Sequence, residues 1–180
     1  MWILIILSIV VLIIFLWQIS NLISVFAGSL YVKTDRVIIR KALKLAKVKR
    51  GDVFYDLGCG NGDVLTEASK LGAKVTGFEI SPYYYLLSKT KIFLFKQFAY
   101  KCSSIYNGID VRLKNILNVD LGKADVVYVY LLPKFLKELA PKFKKELKPK
   151  ARLISIGFPV KNLRLSKKIL LKDRTIFIYL

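Results

Sequence analysis

Between residues 56 and 63 the chain reads Asp56-Leu57-Gly58-Cys59-Gly60-Asn61-Gly62-Asp63, three glycines at alternate positions with a carboxylate at either end. Where a strand turns into a helix, glycines let the backbone close on a ligand because no Cβ stands in the way. Spacing then narrows the ligand. A dinucleotide fingerprint is GxGxxG, which aims a helix N-terminus at a pyrophosphate. Here the pattern is GxGxG, with Asp56 two residues ahead of the first glycine and Asp63 directly after the last. Two flanking carboxylates repel a phosphate and suit a cationic or hydroxyl-rich ligand. A third, Glu79, follows 17 residues after Gly62. In doubly wound folds an acid at the end of the second strand accepts hydrogen bonds from ribose hydroxyls. A glycine turn with solvated acids and a nucleotide-type ligand are the competing readings of the loop.

Other chemistries are excluded by composition. The chain has no histidine, which removes Ser-His-Asp and Cys-His catalysis, and its two cysteines, Cys59 and Cys102, form no CxxC pair. The usual zinc and haem patterns are therefore missing, and no metal site is expected. Cys59 reads as a small packed residue.

The loop must sit on a scaffold that the periodicity supplies. Val53-Phe54-Tyr55 ahead of the loop has the character of a short buried strand, and a helix is expected from about residue 63 to 71. Further strands are expected at 74–78, 109–113, 124–131, 151–157, 168–172 and 175–180, the fourth being almost wholly apolar or aromatic as a central parallel strand should be. Helices are expected at 35–47 with Thr34 as its cap, from Ser81-Pro82 to about Lys101, and at 134–147. The stretch 89–98 is apolar enough to touch a membrane, with a helix covering the core as the favoured reading. Strands alternating with helices give an α/β, Rossmann-like doubly wound parallel sheet, and the last strand pair an antiparallel edge.

Charge and hydropathy are segregated along the chain. It carries 31 Lys+Arg against 12 Asp+Glu, a net charge of +19, yet 54% of its residues are hydrophobic, enough to build a core and to exclude a disordered basic tail. No charged side chain occurs from Met1 to Val32. A bilayer core of ~30 Å takes about 20 helical residues, so one transmembrane helix fits this stretch, with Trp2 and Trp17 near the interfaces. A cleaved signal peptide ending near Val25-Phe26-Ala27 is the rival, but the basic n-region is missing and the apolar run is too long. A buried core helix is the other alternative. Residues 33–50 hold eight basic residues against Asp35, which by the positive-inside rule puts the remaining chain on the cytoplasmic side. By contrast residues 51–88 are net negative, the one acidic island, and it contains the glycine loop.

Asp56, Gly58, Gly60 and Gly62 fill without a gap the (D/E)-x-G-x-G-x-G loop of the class I S-adenosylmethionine-dependent methyltransferases, which this segment resembles together with Glu79. The resemblance implies a seven-strand methyltransferase sheet, S-adenosylmethionine as cofactor, Asp56 and the loop on its methionine part, Glu79 on the ribose hydroxyls, and Asn115, after the third strand, on the adenine amine. The chain is similar in particular to small membrane-anchored protein-lysine methyltransferases known from mitochondria, with relatives in bacteria and archaea. The matching stretch is about residues 30–180, with Tyr31-Val32-Lys33-Thr34, DLGCGNGD and Glu79-Ile80-Ser81-Pro82. Lys33 stands where that family usually has a proline. The implied layout is an anchor at 1–27, a connector and first helix at 28–50, and a methyltransferase domain at 51–180.

Methyl transfer to an amine is an in-line displacement that needs positioning and a neutral nucleophile. The end of the fourth strand offers Tyr128, Tyr130, Leu131, Leu132 and Pro133, and Tyr130 is the candidate catalytic residue, with core packing as its alternative role. The expected partners are a membrane-associated protein substrate and an anionic lipid surface. RNA is the less favoured partner, because no aromatic-basic single-strand module is present. A methyltransferase for a lipid or small membrane-associated molecule, and a non-enzymatic basic membrane-surface binding protein, are the alternative functions.

Overall fold

Val126-Val127-Tyr128-Val129 offers water only one phenol, and it forms the strand most deeply enclosed in the protein. The structure is a computed structural model that describes residues 1–26, 32–98 and 108–180. Seven strands form one sheet: β1 (Val53–Leu57), β2 (Lys74–Glu79), β3 (Ile109–Leu113), β4 (Val126–Val129), β5 (Arg152–Ile156), β6 (Leu165–Leu171) and β7 (Arg174–Tyr179). Their order is β3-β2-β1-β4-β5-β7-β6. The first five pair in parallel, and β7 and β6 close the edge antiparallel, as the sequence pattern predicts. Chain order reverses between β1 and β4, and in open α/β sheets the crevice at the carboxyl ends of such a strand pair is where ligands bind.

Helices cover both faces. On one, α2 (Arg36–Leu45), α3 (Asp63–Ser69) and α4 (Pro82–Phe98) bury Ile39, Leu43, Leu65, Ala68 and Ile92 against Phe54, Val75 and Tyr128. On the other, α5 (Pro133–Glu146) sets Leu136, Leu139 and Phe143 against Val127, Val129 and Leu153. Ion pairs lock these layers at partly buried points. Glu67 of α3 is held by Arg40 of α2 at 2.6 Å and by Lys70 at 2.7 Å. Below the sheet, Arg152 reaches Asp52 at 2.9 Å and donates to the carbonyls of Ala46 and Lys47 at the end of α2.

Three boundaries differ from expectation for local reasons. α2 starts one residue later because Asp35, not Thr34, is its cap: Val37 N–H donates to Asp35 Oδ1 at 2.8 Å. β4 is shorter, since Ala124 N–H is tied into a turn with Leu121 and the chain leaves the sheet after Val129. The last three residues expected in α4, 99–101, and Cys102 lie outside the described residues, as do Tyr31 and the expected 27/28 boundary.

α1 (Trp2–Phe26) precedes all of this. Its window Trp2–Ile19 has a mean hydropathy of 2.9 with none of its residues buried, so the helix is long and apolar enough to cross a membrane. Ser8, the one polar residue before Trp17, donates to the Leu4 carbonyl at 2.7 Å, which satisfies it within the helix.

A close approach fixes how the glycine loop meets this scaffold. A Cβ on Gly77 of β2 would lie 2.6 Å from Leu65 Cδ1 and 2.8 Å from Cys59 Sγ. Substituting Gly77→Ala therefore displaces both the loop and α3, and we expect it to cost about 1–3 kcal/mol of stability. A denaturant midpoint unchanged from the parent protein would contradict this packing argument.

Candidate functional site

Asp56 closes β1 and pairs in register with Gly77 on one side and Tyr128 on the other. In parallel strands, residues in register present their side chains on the same face, so Asp56 and Tyr128 are neighbours beneath α2. After Leu57 the chain turns through Gly58, Gly60 and Gly62, all with left-handed φ (85°, 52° and 77°), a conformation that glycine alone adopts cheaply. Gly58 and Cys59 N–H groups donate to the Phe78 carbonyl at 2.9 and 3.1 Å, which holds the loop over β2.

The loop is fastened from its other side by Glu79. Gly60 N–H donates to Oε2 at 2.9 Å, while Ile80 and Ser81 N–H groups donate to Oε1, each at 2.9 Å. One buried carboxylate thus joins the glycine loop to the turn that opens α4.

Asp56, Gly58, Gly60, Glu79 and Tyr130 all line one pocket at the carboxyl end of β1 and β4. Gly62 lies behind it as the cap position of α3, where a Cβ would meet Ser88 Cβ at 3.4 Å. Asn115 is not among the lining residues; its Oδ1 accepts Leu117 N–H at 3.0 Å and caps the short 3-10 turn Ile116–Asn118. Thr34, Tyr84 and Tyr128 also line the pocket. Periodicity gives none of them that place: Thr34 reads as a helix cap, Tyr84 as one more aromatic of α4, and Tyr128 as part of an aromatic wall. The signal for Tyr128 is its register with Asp56, a pairing between strands 72 residues apart that leaves no local trace.

The carboxylates of the site have different environments. Burial works to raise the Asp63 pKa, but hydrogen bonds from Lys91 and Asn61 and the charges of Lys91 and Arg36 outweigh it and hold the group below its ordinary value. The distances are 2.6 Å to Lys91 Nζ, 3.4 Å to Arg36 Nη2 and 2.7 Å to Asn61 Nδ2. Asp63 therefore ties α3 to α2 and α4, and its charge is already matched. Asp56 has no such partner among the described residues. It is 2% exposed, its Oδ2 has no hydrogen bond, and burial followed by the nearby Glu79 charge pushes its pKa well above the carboxylate range. Burial also raises the Cys59 thiol, with Asp56 and Glu79 adding to it, so Cys59 is no thiolate nucleophile.

Beside Asp56 stands a second unsatisfied group. The Tyr128 hydroxyl has no hydrogen-bond partner of normal geometry, although Thr34 is near enough to favour its ionised form against the burial and the Asp56 charge that raise it. An orphaned carboxylate and an orphaned phenol, both facing a lined cavity, are arranged to receive a donor-rich cation. The same orphan costs stability in the free protein. Tyr128→Phe is accordingly expected to raise stability by about 1 kcal/mol, measured by denaturant unfolding, whereas a loss would mean that the hydroxyl is satisfied after all.

Comparison with known proteins agrees with this geometry. The family model of the ANTKMT methyltransferase domain matches residues 56–167, beginning at Asp56 itself. A protein-lysine N-methyltransferase of Saccharolobus islandicus (strain REY15A) is 31% identical over 155 residues, 83% of this chain and 91% of the relative. An ATP synthase lysine N-methyltransferase of Xenopus laevis is 22% identical over 132 residues, 73% of this chain and 54% of that protein. Among solved structures, an RNA methyltransferase from Salinibacter ruber in complex with S-adenosyl-L-homocysteine aligns with a TM-score of 0.72 at 26% identity, covering 82% of this chain and 92% of that one. With its switch-point pocket, its glycine loop and its carboxylate pair, the chain belongs to the ANTKMT methyltransferase domain family and is an S-adenosylmethionine-dependent methyltransferase.

Proposed function

We propose that this protein methylates a lysine side chain of a membrane-associated protein, held to the membrane by a single N-terminal span with its catalytic domain on the cytoplasmic side. The observation that carries the reading is the pair Asp56 and Tyr128, an unpartnered carboxylate and phenol facing the pocket of an otherwise basic protein. The lysine target is supported by the two lysine methyltransferases among its relatives, and the anchor by α1 and the basic residues that follow it.

The residues present fit the cofactor. In its bound state S-adenosylmethionine supplies an electrophilic methyl group on a sulfonium. Asp56 and the Gly58–Gly60 backbone would hold the methionine part, the buried carboxylate finding in a cation the partner it lacks in the free protein. Glu79 Oε2, engaged by a single N–H, keeps acceptor capacity for a ribose hydroxyl. Asn115 is assigned to the adenine amine on its position after β3.

On the substrate side, Tyr128 and Tyr130 present phenol oxygens that accept the N–H bonds of a neutral amine and aim its lone pair. The apolar walls around them favour the uncharged amine over the ammonium. A net charge of +19 repels a basic protein, so the lysine that suits this domain lies in an acidic or membrane-proximal setting.

Two measurements test the reading. Burial favours the protonated Asp56 in the free protein and a bound cation favours its carboxylate, so cofactor binding releases a proton. Affinity for S-adenosylmethionine then rises with pH by up to about tenfold per unit until free Asp56 is ionised. Calorimetry in buffers of different ionisation enthalpy detects the proton, and Asp56→Asn binds weakly with no such slope; a parent protein whose affinity is flat from acid to neutral pH refutes the linkage. For the substrate, native membranes supplied with labelled methyl donor are separated into protein, organic extract and nucleic acid. Label is expected in protein, as methyl-lysine after hydrolysis, whereas label confined to the lipid extract or to RNA overturns the lysine assignment.

A further inference from the structure

α2 and α5 turn charged faces to water, with Arg36, Arg40, Lys41 and Lys44 on the first and Lys134, Lys137 and Glu138 on the second. α4 does the opposite. It buries Ser88 and Ile92 against the sheet and exposes Leu86, Leu87, Thr90, Phe93 and Leu94, residues whose spacing of three, four and seven puts them on one stripe. Leu86 is 62% exposed and Phe93 59%. In a chain with 31 Lys and Arg, none falls within this stripe; Lys89 and Lys91 border it on its two sides.

We propose that this outer face of α4 lies on the surface of an anionic bilayer beside the membrane span. The inference rests on the anchor reading and extends it, because α1 touches α4, so the membrane that α1 requires begins where the stripe is exposed. An apolar stripe bordered by lysines is the pattern of a helix lying in the interface, its ammonium groups reaching lipid phosphates. A second copy is the weaker occupant. A helix of 17 residues is ~25 Å long and presents an apolar strip of only ~250 Å², against about 800 Å² per partner in a stable interface.

Docking α4 also selects the substrate. The helix begins three residues after Glu79 and carries Tyr84 into the pocket lining. The pocket then opens within about one helix length, ~25 Å, of the headgroups, and the lysine it takes is one close to the membrane in the partner's own chain.

The test uses the full-length protein with Cys102→Ser, reconstituted in vesicles of phosphatidylcholine and phosphatidylglycerol. Single nitroxide labels are placed through Leu86→Cys, Phe93→Cys, Lys137→Cys on α5 and Val10→Cys on α1, and cofactor binding is retained as the check of folding. Oxygen collision rates at positions 86 and 93 should exceed those at 137 severalfold, with collisions of a water-borne nickel reagent reduced by the same order. Water-exposed labels at 86 and 93 with a lipid-buried label at 10 overturn the docking and leave the anchor standing. A water-exposed label at 10 removes the anchor and the docking with it. Dipolar broadening between labels at 93 of two molecules assigns the stripe to a second copy and likewise overturns the proposal.

Discussion

The Glu79 carboxylate, buried and bound by three backbone N–H groups, is the interaction on which the site depends. Hydrogen bonds from amides to an ionised acceptor are about twice as strong as neutral ones, and here they join segments that no strand pairing connects. Through Gly60 the carboxylate sets the height of the glycine loop, and through Ile80 and Ser81 it sets where α4 begins. Gly77, two residues earlier, removes the side chain that would otherwise push Cys59 and the loop away from β2. The acid that reads in the sequence as a ligand for ribose is therefore first a structural clamp, and its remaining acceptor capacity is oriented by bonds already made.

Electrostatics in this chain follow from scarcity of acid. With 12 carboxylates among 31 cations, most buried acids find a partner: Asp52 has Arg152, Asp63 has Lys91 and Arg36, and Glu67 has Arg40 and Lys70. Asp56 stands apart, with no cation beside it among the described residues. The acidic island seen in the sequence is thus smaller than its summed charge suggests, because Asp63 and Glu67 hold helices together and contribute little field to the pocket. What remains is one carboxylate held neutral by burial, next to another held by amides. Such a pair costs the free protein stability and is relieved by a cationic ligand, the usual trade between stability and function at a binding site.

Local signals made the scaffold legible. The glycine spacing, the apolar β4 and the alternation of strands and helices each follow from a few neighbouring residues, and the sheet order and antiparallel edge come from them. What stayed hidden depends on distance along the chain. The register that places Tyr128 beside Asp56 and the ion pair between Asp63 and Lys91, 28 residues apart, have no local pattern. Thr34 and Asp35 are both good helix caps, and which one serves is decided by the pocket that draws Thr34 inward. α4 was ambiguous for a different reason. Periodicity separates a buried face from a wet one only when they differ, and in α4 both are apolar.

That ambiguity is itself informative about how a basic enzyme would meet its substrate in the function proposed. Free in solution, a domain of net charge +19 would be driven from lysine-rich partners and toward any anionic surface. Attached to that surface, it no longer needs affinity for the protein it modifies, since tethering to the same membrane replaces a bimolecular encounter by an effective concentration in the millimolar range, about what a short flexible linker supplies. Positive charge and an outward apolar helix, which weaken a soluble enzyme by repulsion and aggregation, then act in one direction. Both hold the pocket near the bilayer, and the choice of lysine passes from sequence recognition to geometry.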